Sequence, residues 1–159
     1  MRYHNIVHDD MLNGDGIRVT LFVAGCDHHC KGCQNPITWD PDGGIEFTVA
    51  EMNEIDEQLR KPYVSGITLS GGDCFYLSNR EAIECLCKWV KTAFPNKNIW
   101  AYTGYLFEEI KHLPVMEYID VLVDGKFIER LKDNTLHWRG SSNQNIWRKI
   151  DGVWKLSNE

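Results

Sequence analysis

The branched and aromatic residues of Ile17-Arg18-Val19-Thr20-Leu21-Phe22-Val23 alternate with polar ones and run into Gly25, a period-two pattern that predicts a first strand. Further on the period changes. Thr48-Val49-Ala50-Glu51 has the Ser/Thr-x-x-Glu form of a capping box, and Val49, Met52, Ile55 and Leu59 follow at helical spacing until Pro62, which predicts an amphipathic helix. Gly66-Ile67-Thr68-Leu69-Ser70 is a short strand stopped by Gly71-Gly72. Ser78-Asn79-Arg80-Glu81 then reads as a second capping box, with Ile83, Leu86, Val90 and Phe94 as the buried stripe of its helix. Ile99 to Tyr102, Phe107 to His112 and Ile119 to Val123 continue as strand, short helix and strand.

Strands alternating with helices predict a parallel sheet with right-handed crossovers. A closed eight-unit barrel takes about 250 residues, so a chain of 159 residues has room for about five units. The expected fold is therefore α/β, an open partial (β/α) barrel with a mainly parallel sheet, in a single domain covering residues 1–159. The stretch from Trp138 to Trp154 fits no element of this scheme.

Composition adds limits. With 43% hydrophobic and 25% charged residues, the chain reads as an ordinary globular domain, able to bury about 70% of its unfolded surface. A net charge of −6 argues against non-specific nucleic-acid binding, which depends on basic residues displacing counterions. The N-terminus carries no apolar leader, and the apolar stretch from Val19 to Cys26 is too short to span a bilayer. No membrane association is expected, and the cytoplasm is the expected compartment. There Cys26, Cys30, Cys33, Cys74, Cys85 and Cys87 read as metal ligands or buried thiols rather than disulfides.

Three of these thiols lie in Gly25-Cys26-Asp27-His28-His29-Cys30-Lys31-Gly32-Cys33, with Cys-x3-Cys-x2-Cys spacing directly after the first strand. Thiolates so spaced can hold three irons of a [4Fe-4S] cluster and leave the fourth open, and an open position is what a catalytic metal requires. The alternative is a zinc site completed by His28 or His29, in a non-catalytic zinc-stabilised binding module. Zinc sites usually take cysteines in two separated pairs, which this chain lacks. On the cluster reading the two histidines are ordinary loop residues.

The loop resembles the cysteine motif of the radical S-adenosylmethionine superfamily. The resemblance implies an open barrel of that type and a cluster whose free iron chelates the methionine part of S-adenosylmethionine. Reductive cleavage to methionine and a 5′-deoxyadenosyl radical is the implied chemistry. Gly32, in a position often aromatic in the superfamily, is similar to the branch that activates anaerobic (class III) ribonucleotide reductases by placing a glycyl radical on them. Activases of pyruvate formate-lyase are similar but longer, and form the alternative. The implied partners are the glycine-bearing loop of the reductase and an electron donor such as flavodoxin.

Other segments then take expected roles. Gly32 and Gln34, on either side of Cys33, are expected to contact the cofactor. Ser70-Gly71-Gly72-Asp73 resembles the superfamily's Gly-Gly-acid motif: glycines admit a close ligand, and Asp73 can accept from the methionine ammonium. The plain alternative is a turn. Cys74 stands where the motif usually has proline, and reads as a spectator thiol. Asp124-Gly125-Lys126 resembles an Asp-x-Lys segment of related activases, in which Lys126 pairs with a carboxylate or sugar hydroxyl and Asp124 orients it; a solvated ion pair is the alternative. Cys85 and Cys87, two apart on a helix, face different ways, one toward the core and one partly exposed. Trp138-Arg139-Gly140-Ser141-Ser142-Asn143-Gln144 resembles a tail segment of the same branch; exposed Trp and Arg there suit a protein interface, and the alternative is that the tryptophans at 138, 147 and 154 cover the open end of the core.

Overall fold

The computed structural model describes residues 1–158. Eight strands form: β1 (Arg2–Asp10), β2 (Ile17–Val23), β3 (Ile45–Glu46), β4 (Val64–Gly71), β5 (Asn98–Tyr102), β6 (Val121–Asp124), β7 (Asn145–Ile150) and β8 (Val153–Leu156). The α-helices are α1 (Val49–Leu59), α2 (Arg80–Ala93) and α3 (Phe107–Ile110). All strands join one sheet in the order β3-β1-β2-β4-β5-β6-β7-β8.

This corrects the expectation of an open partial (β/α) barrel with a mainly parallel sheet. The predicted strands do pair in parallel, β2 with β4, β4 with β5 and β5 with β6. However, β1 and β3 on one flank, and β7 and β8 on the other, add antiparallel pairs, so the sheet is mixed and carries few helices. Antiparallel neighbours need only a tight turn, whereas a parallel neighbour needs a crossover. The missed C-terminal hairpin has such a turn: Asp151 and Gly152 at φ +51° and +76°, the Asp-Gly signature of a two-residue connection. Arg2–Asp10 was hidden because its apolar positions are sparse.

Alternation separates the two faces. Val19, Leu21 and Val23, with Ile67, Leu69, Ile99, Ala101 and Leu122, pack against Ile55 and Leu59 of α1 and Ile83, Leu86 and Val90 of α2. The other face is polar along β2 and β4, with Arg18, Thr20 and Thr68 buried there, while Trp100, Val121 and Val123 of β5 and β6 form a second apolar cluster with Ile146. Arg18 is fully buried, donating Nε to Thr68 Oγ1 at 2.7 Å and Nη2 to the Ile67 carbonyl at 2.9 Å. Its guanidinium lies 5.4 Å from the Trp100 ring centroid, and burial lowers its pKa to about 10.

Local signals shaped α1 as expected: Glu51 accepts from the Thr48 N–H at 2.6 Å and Thr48 Oγ1 accepts from the Ala50 N–H at 3.2 Å. The second expected capping box does not form. Leu77–Asn79 makes a 3-10 turn, and Asn79 Nδ2 donates to the Ala24 carbonyl at 2.8 Å, tying the start of α2 to the end of β2. Of the tail tryptophans, Trp147 stacks on Phe107 at 4.5 Å and Trp154 meets it at 5.6 Å, covering the helix-side core. Trp138 lies on the opposite face, edge-on to Trp100 at 5.9 Å. No helix among the described residues is long and apolar enough to cross a membrane.

Candidate functional site

In a parallel ladder every strand points the same way, so the loops that follow β2, β4, β5 and β6 emerge together. Val23 pairs with Gly71 at the end of the β2–β4 ladder, which sets the cysteine loop beside the Gly-Gly turn. Backbone bonds fix that meeting: Gly72 N–H to the Val23 carbonyl and Asp73 N–H to the Gly25 carbonyl, both 2.8 Å. A cavity of about 450 Å³ opens at this edge. Cys26, Cys30 and Cys33 lie on its wall together with Gln34, Gly71 and Gly72.

Asn35 N–H donates to Cys33 Sγ at 3.4 Å. Burial pushes the Cys26 thiol up to about 11, opposed by the N–H groups of His28 and His29. Burial also raises the Cys30 thiol, opposed by the Phe127 N–H and by the charge of Lys126. Buried thiols without a cation hold their protons, while aligned N–H donors favour the thiolate that an iron would stabilise. This donor set fits an iron–sulfur cluster. Among the described residues, no three His, Cys, Asp or Glu side chains are gathered as ligands of a single ion. One zinc would draw its ligands to within about 4 Å of each other, given Zn–S bonds of about 2.3 Å; the cysteines of a cluster each bind a different iron and stand further apart.

The expected Gly-Gly-acid turn splits. Gly71 and Gly72 are on the cavity wall, but the Asp73 carboxylate is 1% exposed and turned inward. It accepts from His28 Nε2 at 2.7 Å, Phe75 N–H at 2.8 Å, and Thr103 Oγ1 and Gly104 N–H at 2.9 Å. His28 is therefore no ordinary loop residue: its ring stands edge-on to Tyr105 at 4.6 Å and its Nε2 is engaged. His29, at φ +46°, stacks on Trp39.

The Asp-x-Lys segment splits as well. Asp124 is buried and accepts from Phe107 N–H at 2.7 Å, and from Asn145 N–H and Trp147 Nε1 at 3.1 Å. Lys126 is exposed and off the cavity wall, whereas the neighbouring Gly125 and Phe127 are on it. Gly32 is off the wall too, in a left-handed turn at φ +74° beside Glu129. Asp124→Ala is expected to lower stability by about 3 kcal/mol, because three donors lose their acceptor. A urea-unfolding midpoint that holds while cofactor affinity falls would return Asp124 to a cofactor-binding role.

Cys74 is fully buried and points to the Tyr102 carbonyl at 3.6 Å; Cys87 is buried and Cys85 exposed, facing different ways as expected. Sequence reasoning missed the closing wall. Trp138, Arg139 and Gln144 line the cavity. Gln144 Nε2 donates to the Gly125 carbonyl at 2.9 Å, and Arg139 Nη1 donates to the Gln144 carbonyl at 2.7 Å. Trp138 Nε1 donates to Asp15 at 2.9 Å. The Trp-Arg-Gly-Ser run was the available signal, but its partners are remote in sequence.

A family model described as a 4Fe-4S single cluster domain matches residues 12–147. The anaerobic ribonucleoside-triphosphate reductase-activating protein of enterobacteria phage T4 is 49% identical over 155 residues, covering 98% of this chain and 99% of that protein. The proteins of the same name from Vibrio cholerae and Escherichia coli K12 are each 44% identical, over 152 and 148 residues, covering 93% and 91% of this chain and 98% and 96% of theirs.

Proposed function

Because the chain belongs to the family of anaerobic ribonucleoside-triphosphate reductase-activating proteins and carries its 4Fe-4S domain, we propose that it plants a glycyl radical on an anaerobic ribonucleotide reductase. The observation that carries this reading is the shared wall of Cys26, Cys30, Cys33, Gly71 and Gly72 in one cavity. Its volume of about 450 Å³ lies within the range of small-molecule sites, about 300–1,000 Å³.

Cys26, Cys30 and Cys33 would hold three irons of the cluster and leave the fourth without a protein ligand. Together the cluster and S-adenosylmethionine supply reductive cleavage to methionine and a 5′-deoxyadenosyl radical able to take hydrogen from a glycine Cα. The chain supplies the rest. Gly71 and Gly72 line the cavity without a side chain to obstruct a ligand, and Gln34 lines it beside them. Trp138 and the loop from Arg139 to Gln144 keep water from the far side, which protects a reactive radical. Electrons come from a donor such as flavodoxin, in the reducing cytoplasm where the thiols stay free.

Mixed anaerobically with reductant, S-adenosylmethionine and the cognate reductase, the protein is expected to generate a glycyl-radical doublet in electron paramagnetic resonance. Alanine at the acceptor glycine of the reductase erases it. If pyruvate formate-lyase acquires the doublet and the reductase does not, the partner is wrong and the chemistry stands. If neither does, and no 5′-deoxyadenosine forms from a fully reduced cluster, the activase reading fails.

A further inference from the structure

Asp73 makes more hydrogen bonds than its turn requires, and its partners come from separate parts of the chain. Thr103 and Gly104 follow β5, Phe75 lies in the same loop, and His28 sits between the first two cysteines. Both members of the His28–Asp73 pair are shielded, at 7% and 1% side-chain exposure, where a hydrogen bond to a carboxylate is strong. The fit leaves no slack. A Cβ on Gly104 would stand 2.4 Å from His28 Cδ2.

The peptide just after His28 is held against a conformational cost. His29 at φ +46° lies in the left-handed region, which costs a non-glycine residue about 1–3 kcal/mol unless its surroundings over-determine it. Two contacts do so: the stack of His29 on Trp39 at 4.5 Å and the His28–Asp73 hydrogen bond at 2.7 Å. Both contacts fix the backbone between Cys26 and Cys30, the first two cysteines of the loop.

We propose that His28 is a positioning residue of the cysteine loop: clasped through Asp73 to the end of β5, it fixes the backbone that sets Cys26 and Cys30 on the cavity wall. The inference rests on the proposed cluster. The setting of the ligand sulfurs and their surroundings tunes the reduction potential of a cluster, so loss of the clasp would shift the midpoint potential of a cluster held by Cys26. Asp73 then acts through His28 rather than by meeting the cofactor ammonium.

The test uses the full chain as wild type, His28→Ala, His28→Gln and Gly104→Ala, with two readouts. Amide hydrogen exchange at residues 28–30 is followed in the cluster-free protein, and the midpoint potential is titrated after reconstitution. Loss of one hydrogen bond to a charged group should speed exchange in His28→Ala about tenfold to a hundredfold, with a shifted midpoint potential. His28→Gln, whose amide reaches Asp73 as Nε2 does, should restore both. Gly104→Ala, which displaces the ring without removing a bonding group, should reproduce the His28→Ala result. Wild-type exchange and potential in His28→Ala overturn the proposal, as does a glutamine variant as defective as the alanine one. If the wild-type chain binds no iron, the proposed function fails while the exchange measurements still decide whether the clasp exists.

Discussion

Cys26→Ala, Cys30→Ala and Cys33→Ala are each expected to abolish glycyl-radical formation and remove most bound iron, while Cys85→Ala leaves both near wild type. The three loop cysteines share one cavity wall. Cys85 is exposed on α2, and the other remaining thiols, Cys74 and Cys87, are buried. No spare thiol is therefore poised to replace a lost ligand, and a cluster held by two cysteines lacks one of its anchors. Iron analysis after anaerobic reconstitution and the radical doublet provide the measurements. Iron at the wild-type level in all three loop variants would falsify the ligand assignment.

Gly72→Ala should have the next largest effect, although it adds a single uncharged methyl group. An added Cβ would stand 2.5 Å from the Gly25 carbonyl oxygen and 2.7 Å from that of Thr38. Both atoms are backbone and cannot rotate aside. Relief requires the cysteine loop and the Gly-Gly turn to separate, breaking the Asp73 N–H to Gly25 bond of 2.8 Å. Forcing a methyl into such a contact costs about 3 kcal/mol, so the urea midpoint should fall and both iron retention and S-adenosylmethionine affinity should drop. A variant with wild-type stability and affinity would show that the turn is free to move and does not brace the site.

The parts legible in sequence were those whose cause is local. The strand at Ile17–Val23 and the capped helix at Val49–Leu59 follow from side-chain period and from a cap whose partners lie three residues apart, and both formed as expected. The cysteine spacing likewise placed all three thiols on one short loop before any fold was known.

What only the tertiary structure decided depends on partners remote along the chain. The flanks of the sheet were one such choice. Residues 145–156 close the sheet against β6 rather than ending the chain as a loop, because Val121–Asp124 offered an unpaired edge that no pattern within either segment records. The direction of Asp73 was another. A carboxylate after Gly-Gly has the same local sequence whether it faces a ligand or the protein; here it turned inward because Thr103 and Gly104, 30 and 31 residues later, supply the donors. A buried carboxylate goes where hydrogen bonds offset its desolvation, and those donors exist only once β4 and β5 lie side by side.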